Sequence, residues 1–261
     1  MNNPALQDKI CLIAGTTGIG GASARLFGRE GAKIVAVGRS PENAANLSRE
    51  LTGLGVENLA IAEDLSCPGA CERVFNATLK RFGRLDILFH VAGISGRKFG
   101  DGPLAECTDD GWDAVMNINL RAMMQMNRVC IQHWLKSGHR GVILNMASVL
   151  GFSFVPENFQ TVAYASAKAA IIGMSQHAAA TYAKHGIRIN VMAPALVETP
   201  MASRATQDPA IRELMCRKQP LTGKPLLDND CAQAALYLCS KASDAITGII
   251  LPVDAGWCVC G

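Results

Sequence analysis

No apolar run among the 261 residues approaches the ~18 that a membrane-spanning helix needs. An excess of one charge is lacking too. Twenty-five basic against 22 acidic side chains leave +3, too small a field to grip nucleic acid or an anionic membrane. The opening Met-Asn-Asn-Pro-Ala-Leu-Gln-Asp-Lys has neither a charged n-region nor an apolar h-region, so no secretory leader is expected. Low-complexity tracts are missing and 49% of the side chains are apolar, which excludes intrinsic disorder. Metal-ligand spacing is missing as well. Cys67 and Cys71, like Cys258 and Cys260, are not C-x₂-C pairs and bring no histidine pair with them. His90, His133, His139, His177 and His185 form no H-E-x-x-H or facial-triad spacing, so they read as structural or surface groups and no metal is expected. Ten cysteines in an unsecreted chain then read as reduced thiols. The expectation is a soluble, cytoplasmic protein of α/β size.

What is present is alternation. Short apolar runs at Ile10–Ala14, Lys33–Gly38, Val56–Ala62, Leu85–Val91, Gly141–Met146 and Ile187–Met192 predict strands. Longer amphipathic stretches between them predict helices over Gly20–Glu30, Pro68–Phe82, Asp110–Ser137 and the Ala-rich Thr161–His185. Another starts at Ser40-Pro41-Glu42, with serine at the N-cap and proline in the first turn. Residues 231–253 add a last helix and strand. Strict alternation implies right-handed βαβ units, hence a Rossmann-type doubly wound parallel β-sheet of about seven strands with helices on both faces. No linker or repeat divides residues 1–261, so one domain is expected. Its stretch from Pro194 to Asn229 is proline-rich, charged and free of strand signals, and reads as a substrate lid.

The first strand runs straight into Gly15, Thr16, Thr17, Gly18, Ile19 and Gly20 and then a helix. Glycines there permit a tight turn and close approach of the backbone, leaving helix N-terminal amides to hold a pyrophosphate. At the end of the second strand, a site preferring NAD usually carries a carboxylate for the ribose 2′-hydroxyl. Here the residues are Gly38, Arg39 and Ser40, and a guanidinium suits a 2′-phosphate, so NADP(H) is favoured over NAD(H). The plainer alternative is an exposed Arg39 paired with Glu42.

Tyr164 and Lys168 stand at i, i+4 and so share one face of their helix. An ammonium beside a phenol favours the phenolate, which is useful for proton transfer at neutral pH. A surface pair has the same spacing. Ser148 closes the fifth strand, where α/β sheets place ligands, and Asn119 sits in a helix that looks buried. No G-x-S-x-G elbow surrounds Ser148 and no Walker sequence occurs, which disfavours a hydrolase or an NTPase.

Taken in order, these segments resemble the short-chain dehydrogenase/reductase (SDR) family over essentially the full length. The glycine segment ending at Gly20 is similar to that family's cofactor loop, and Asp64-Leu65 to its adenine contact. Tyr164-Ala-Ser-Ala-Lys168 matches its Y-x-x-x-K signature, and Ser148 and Asn119 match the remaining catalytic positions. Pro194, Val197 and Thr199 resemble the segment that contacts the nicotinamide, and Gly248–Trp257 the closing strand, usually part of a tetramer interface. There are departures. Ile13-Ala14 stands for Thr-Gly, His90-Val91-Ala92-Gly93 for Asn-Asn-Ala-Gly, and Pro194-Ala195 for Pro-Gly. Ser148 and Tyr164 lie three positions further apart than usual, which adds Phe152, Phe154 and Phe159 near the site.

The resemblance implies an oxidoreductase passing a hydride between NADP(H) and a carbonyl or secondary alcohol. Tyr164 is then the proton donor, Ser148 holds the carbonyl oxygen, Lys168 supports the phenolate and reaches the ribose, and Asn119 anchors a relaying water. Cofactor contacts are expected at Gly15, Thr16, Thr17, Gly18, Ile19, Gly20, Arg39, Ser40, Asp64, Leu65, Ala92, Gly93, Tyr164, Lys168, Pro194, Val197 and Thr199. The phenylalanines, with Met192 and Met201, suggest an apolar pocket wall for a 3-oxoacyl thioester, a steroid, another hydrophobic ketone or a sugar lactol. Packing among themselves or against a neighbouring subunit explains those phenylalanines equally well. Arg97 and Lys98 could meet an acidic substrate group or be solvated loop charges. A homo-oligomer, dimer or tetramer, goes with the family. The rival from another class is a dinucleotide-binding sensor or scaffold without turnover. A methyltransferase-like Rossmann protein would need an acid after the second strand, where Arg39 stands.

Overall fold

The computed structural model describes residues 4–155 and 158–260. The first three residues of the opening segment lie outside them. Chain order runs β1 (Ile10–Ala14), α1 (Gly18–Arg29), β2 (Lys33–Gly38), α2 (Pro41–Gly53), β3 (Asn58–Ala62), α3 (Ala70–Phe82) and β4 (Ile87–His90). It continues with α4 (Asp109–Val115), α5 (Ala122–Ser137), β5 (Val142–Met146), α6 (Val162–Tyr182) and β6 (Arg188–Pro194). The last elements are α7 (Ser203–Gln207), α8 (Pro209–Lys218), α9 (Asp228–Cys239) and β7 (Ile250–Val253).

The seven strands form one parallel sheet in the order β3-β2-β1-β4-β5-β6-β7. Alternate residues of the central strands feed opposite faces, as period-2 geometry demands. Cys11 and Ile13 join Phe27, Ile34 and Phe89 on one side, whereas Ile10, Leu12 and Ala14 join Val35, Leu88 and Trp134 on the other. Both faces are covered, so β1 is buried along its whole length and carries a continuous apolar run. Strand order reverses between β1 and β4, and the crevice at the carboxyl ends there is where such sheets bind ligands.

Several expected boundaries shift. The long helix expected over Asp110–Ser137 starts at Asp109 and is interrupted by a π-helical stretch, Met116–Arg121, between α4 and α5. A π-turn widens the helix at a cost and often marks a functional position. The widened turn carries Asn119. The third helix begins at Ala70 because Gly69, at φ 73°, is left-handed and stops the chain from continuing backwards as helix to Pro68. The 194–229 stretch starts inside β6 and carries two short helices, α7 and α8. It also makes one isolated parallel bridge, Val197 to Leu226, so it is not free of strand pairing.

Candidate active site

Gly15 leaves β1 at φ +137° and Gly18 opens α1 at φ +50°, conformations that a side chain rarely adopts. A Cβ on Gly20 would run into the carbonyl of Gly15, and one on Gly18 would lie 3.0 Å from Thr199 Cγ2. The loop is therefore a cradle kept open by missing side chains, with Thr199 of the post-β6 segment facing it. Thr17 is the N-cap of α1 and makes no side-chain capping bond, so first-turn amides stay open for an anionic group. Ala14, in place of the family's glycine, causes no strain. It is an ordinary β1 residue paired with Val37 and His90, and the positive φ falls on Gly15.

Beside this loop, a cavity of about 130 Å³ is lined by Gly38, Arg39, Asp64, Leu65, Ala92 and Gly93. Five expected cofactor residues, Arg39, Asp64, Leu65, Ala92 and Gly93, thus come together at the ends of β2, β3 and β4. Ser40 instead caps α2, its hydroxyl accepting from the amide of Asn43 at 3.2 Å. The Arg39–Glu42 pair is not among the ion pairs of the described residues. Glu63 also lines the cavity, a carboxylate that the sequence reading passed over. Arg73 pairs with it through two hydrogen bonds, of 2.9 and 3.2 Å, whereas Asp64 accepts from the amide and hydroxyl of Ser66. The only sequence signal of Glu63 is its place directly before Asp64-Leu65.

Ser148, Tyr164 and Lys168 meet where β5 and β6 end. Ser148 Oγ accepts from the amide of Leu150 at 3.2 Å and donates to the Pro194 carbonyl at 3.4 Å. Lys168 is 3% exposed; its Nζ donates to the Met146 carbonyl at 2.8 Å and lies 5.5 Å from the centre of the Tyr164 ring. Burial without a carboxylate partner lowers the Lys168 ammonium to a pKa of about 8. Burial also raises the Tyr164 phenol above its ordinary value, with hydrogen bonding to Ser148 opposing it. That corrects the expectation of a phenol lowered by its lysine. The ammonium is turned to a main-chain carbonyl and the ring face, so desolvation of the hydroxyl dominates.

Asn119 is held by the loop after β4. The Ile94 amide donates to its Oδ1 at 2.7 Å, and its Nδ2 donates to the Ile94 carbonyl at 2.9 Å. These two bonds pin that loop to the π-turn that carries Asn119.

Sequence reading missed Asp101. This carboxylate is 6% exposed and accepts from the amides of Ala163 and Tyr164, each at 3.0 Å, while the Gly102 carbonyl accepts from Val162 at 3.0 Å. The N-cap residue of α6, Thr161, makes no capping bond of its own. Asp101 therefore satisfies the helix's first amides and complements its dipole from a distant loop. The Tyr164 backbone hangs on it. Only local capping residues are legible in a sequence, and this one lies 62 and 63 positions away.

The apolar wall is placed differently from expectation. A larger cavity, about 450 Å³, is lined by Phe154, Phe159, Val155 and the Ala165, Ser166 and Ala169 side of α6, and by none of Asn119, Ser148, Tyr164 or Lys168. Phe159 packs edge-on against Trp257, ring centres 5.9 Å apart, whereas Phe152 and Met201 are exposed. Met192 is fully buried in the core and lines neither of these two cavities. His90 is wholly buried at the end of β4, and neither ring nitrogen finds a protein partner. Burial, reinforced by the Lys168 charge, lowers its pKa to about 3, so it is neutral under ordinary conditions. No group of three potential metal ligands occurs among the described residues.

Three comparisons agree with this geometry. A family model described as enoyl-(acyl carrier protein) reductase matches residues 13–258. The chain is 33% identical over 254 residues to a 3-oxoacyl-[acyl-carrier-protein] reductase of Thermotoga maritima, covering 96% of this chain and 98% of that protein. It is 35% identical over 260 residues to an A-factor type gamma-butyrolactone 1′-reductase of Streptomyces virginiae, covering 97% of each. Among solved structures, a putative 2-deoxy-D-gluconate 3-dehydrogenase of Agrobacterium tumefaciens with bound NADP superposes with a TM-score of 0.88. That protein is 28% identical, and 99% of each chain is covered.

Proposed function

The chain belongs to the short-chain dehydrogenase/reductase family and is an oxidoreductase, and on that premise we propose that it reduces a carbonyl substrate with NADPH through Ser148, Tyr164 and Lys168. One observation carries the reading. Those three side chains converge at the carboxyl edge of β5 and β6, beside a glycine cradle that any Cβ would fill.

The residues present fit a nicotinamide dinucleotide. Gly15 to Gly20 and the open amides of α1 would take the pyrophosphate, and Asp64 and Leu65 the adenine side. Arg39, with no acid of its own, would take a 2′-phosphate, and the NADP carried by the Agrobacterium relative supports that choice. Ala92, Gly93, Pro194, Val197 and Thr199 would line the nicotinamide side. When bound, the dinucleotide supplies the hydride.

The chain's own residues supply position and the proton. Ser148 Oγ is fixed at the end of β5 and holds the substrate carbonyl oxygen by hydrogen bonding. The Tyr164 phenol, held above its ordinary pKa, is fully protonated at neutral pH and donates to that oxygen, the state a reduction requires. Lys168 keeps its ammonium below about pH 8 and stabilises the phenolate left behind, an interaction strengthened by the low local dielectric. Asn119 and Asp101 are positioning residues, for the post-β4 loop and for the Tyr164 backbone. A sensor without turnover would have no use for a buried, carboxylate-free ammonium beside a phenol.

We read residues 1–261 as one cytoplasmic dinucleotide-binding unit with the 194–229 segment as its lid, assembled as a homo-oligomer. Leu104 and Phe154, 77% and 69% exposed, support a second copy covering that side. The test is cofactor oxidation over a panel of 3-oxoacyl thioesters, cyclic ketones and sugar lactones, with NADPH and NADH in parallel. A ketone should be reduced, faster per unit concentration of NADPH. Tyr164→Phe should lower kcat by ~10²-fold or more, the range for losing a general acid, while dinucleotide binding by fluorescence persists. Turnover retained in that variant refutes the assignment.

A further inference from the structure

Gln219 ends α8 and is fully buried, an uncommon place for a side-chain amide, and the chemistry above does not use it. Both ends of that amide are bonded to main chain. Its Oε1 accepts from the Leu196 amide at 3.0 Å, and its Nε2 donates to the carbonyls of Leu196 at 3.3 Å and Lys224 at 3.2 Å. Among side chains of this length, only a neutral amide offers an acceptor beside two donors.

These partners place Gln219 at the neck of the 194–229 segment. Leu196, Val197 and Glu198 enter the segment beside Lys224 to Leu226, which leave it. The Leu226 amide donates to the Leu196 carbonyl at 2.9 Å, the Glu198 amide donates to the Leu226 carbonyl at 2.8 Å, and Val197 bridges Leu226. Gly223, at φ 64°, turns the chain back towards Gln219, and its amide donates to the Gln219 carbonyl at 2.7 Å. From behind, Lys218 Nζ donates to the Cys260 carbonyl at 2.6 Å and the Leu221 amide to the Ala255 carbonyl at 3.1 Å. The neck is therefore fixed to the C-terminal segment, with Gln219 closing it from inside.

The strap that passes through this neck, Leu196 to Thr199, joins two parts of the candidate site. Just before it, the Pro194 carbonyl accepts from Ser148 Oγ at 3.4 Å. At its end, Thr199 Cγ2 stands 3.0 Å from where a Cβ on Gly18 would lie. Val197 and Thr199 are the residues read above as lining the nicotinamide side, whereas no residue of the strap borders the cavity of Arg39, Asp64 and Gly93. We propose that Gln219 is a positioning residue for the nicotinamide half of the dinucleotide, fixing the strap where Val197 and Thr199 meet it. The proposal rests on the dinucleotide reading above. Without the amide, the Leu196 N–H and the Lys224 carbonyl each lose this partner inside a buried neck, and the strap shifts against the glycine loop.

Calorimetric titration of the full chain with NADP⁺ and with 2′,5′-ADP, which carries the adenosine side alone, tests it without turnover. NAD⁺ and AMP are titrated in parallel, so the outcome does not depend on which dinucleotide the chain prefers. Gln219→Leu should weaken the dinucleotide by ~10-fold or more, the scale of one or two lost hydrogen bonds, and leave the adenosine half within ~2-fold. Amide hydrogen exchange on the unliganded proteins should show residues 195–199 exchanging faster in the variant, with the 10–20 segment protected as in wild type. Gln219→Glu serves should the leucine variant not fold. Its carboxyl keeps an acceptor for Leu196 but can donate to the two carbonyls only while protonated. NADP⁺ binding to it should therefore tighten, relative to wild type, as pH falls and the carboxyl takes up its proton. Equal weakening of dinucleotide and adenosine half overturns the proposal, because Gln219 would then be only a structural residue. So does unchanged binding, or a glutamate variant that tracks wild type at every pH. Wild type that binds neither dinucleotide nor adenosine half refutes the dinucleotide reading and this proposal together, an outcome distinct from all the others.

Discussion

Replacing His90 by asparagine removes a group whose titration the fold suppresses. In the unfolded chain this imidazole protonates near its ordinary pKa of 6.5, whereas in the folded protein burial lowers that to about 3. Below pH 6.5 the unfolded state therefore binds a proton that the native state refuses, and stability falls as pH falls from 6.5 towards 3. At 1.36 kcal/mol per pKa unit, the loss from this one residue is about 2 kcal/mol at pH 5 and about 3 kcal/mol at pH 4. That is a sizeable fraction of an ordinary domain's stability of ~5–15 kcal/mol. Urea unfolding followed by tryptophan fluorescence, at pH 7 and pH 5 and one fixed protein concentration, measures it. Wild type should lose about 2 kcal/mol more than His90→Asn between the two pH values, every other titrating group being common to both proteins. Equal losses would show that the imidazole charges freely in the native state, and the buried, partnerless placement would be wrong.

Lys168→Met should raise stability at pH 7 while abolishing turnover. Burial lowers the ammonium from 10.5 to about 8, so at neutral pH the native state carries a charge at a cost of about 3 kcal/mol, offset in part by the bond to Met146. Wild type regains that stability as pH rises from 8 to 10.5, so the gap between the proteins should narrow over that interval; a constant gap contradicts the reasoning. Asp101→Ala should cost about 1–2 kcal/mol, as for a lost helix cap, seen as a lower Tm. It should depress kcat more than KM, because Tyr164 is displaced without loss of a substrate contact. Asp101→Asn, which keeps one acceptor, should fall between, and a uniform rise in KM alone would argue against the positioning role.

The features legible in the sequence are local ones. Continuous apolarity in Ile10–Ala14 marks a doubly covered strand because neighbouring residues of a strand face opposite layers. Gly15 to Gly20 can be read because a turn and its helix start are consecutive in the chain. Tyr164 and Lys168 can be paired because 3.6 residues per turn bring i and i+4 together on any helix. Ser40 capping Asn43 is local in the same way.

The rest depended on contacts between segments that the chain keeps far apart. Asp101 capping α6, Arg73 pairing with Glu63 and the Asn119 clamp on Ile94 each join separate elements. The sign of the Tyr164 shift belongs with them, because it is set by how much water the packed cleft excludes rather than by which residue stands four places on. So the sequence by itself determined the sheet, the glycine loop and the pairing of Tyr164 with Lys168 on one helix face. Only the tertiary structure decided their protonation states and their anchors, because burial and long-range pairing exist only once the chain has closed on itself.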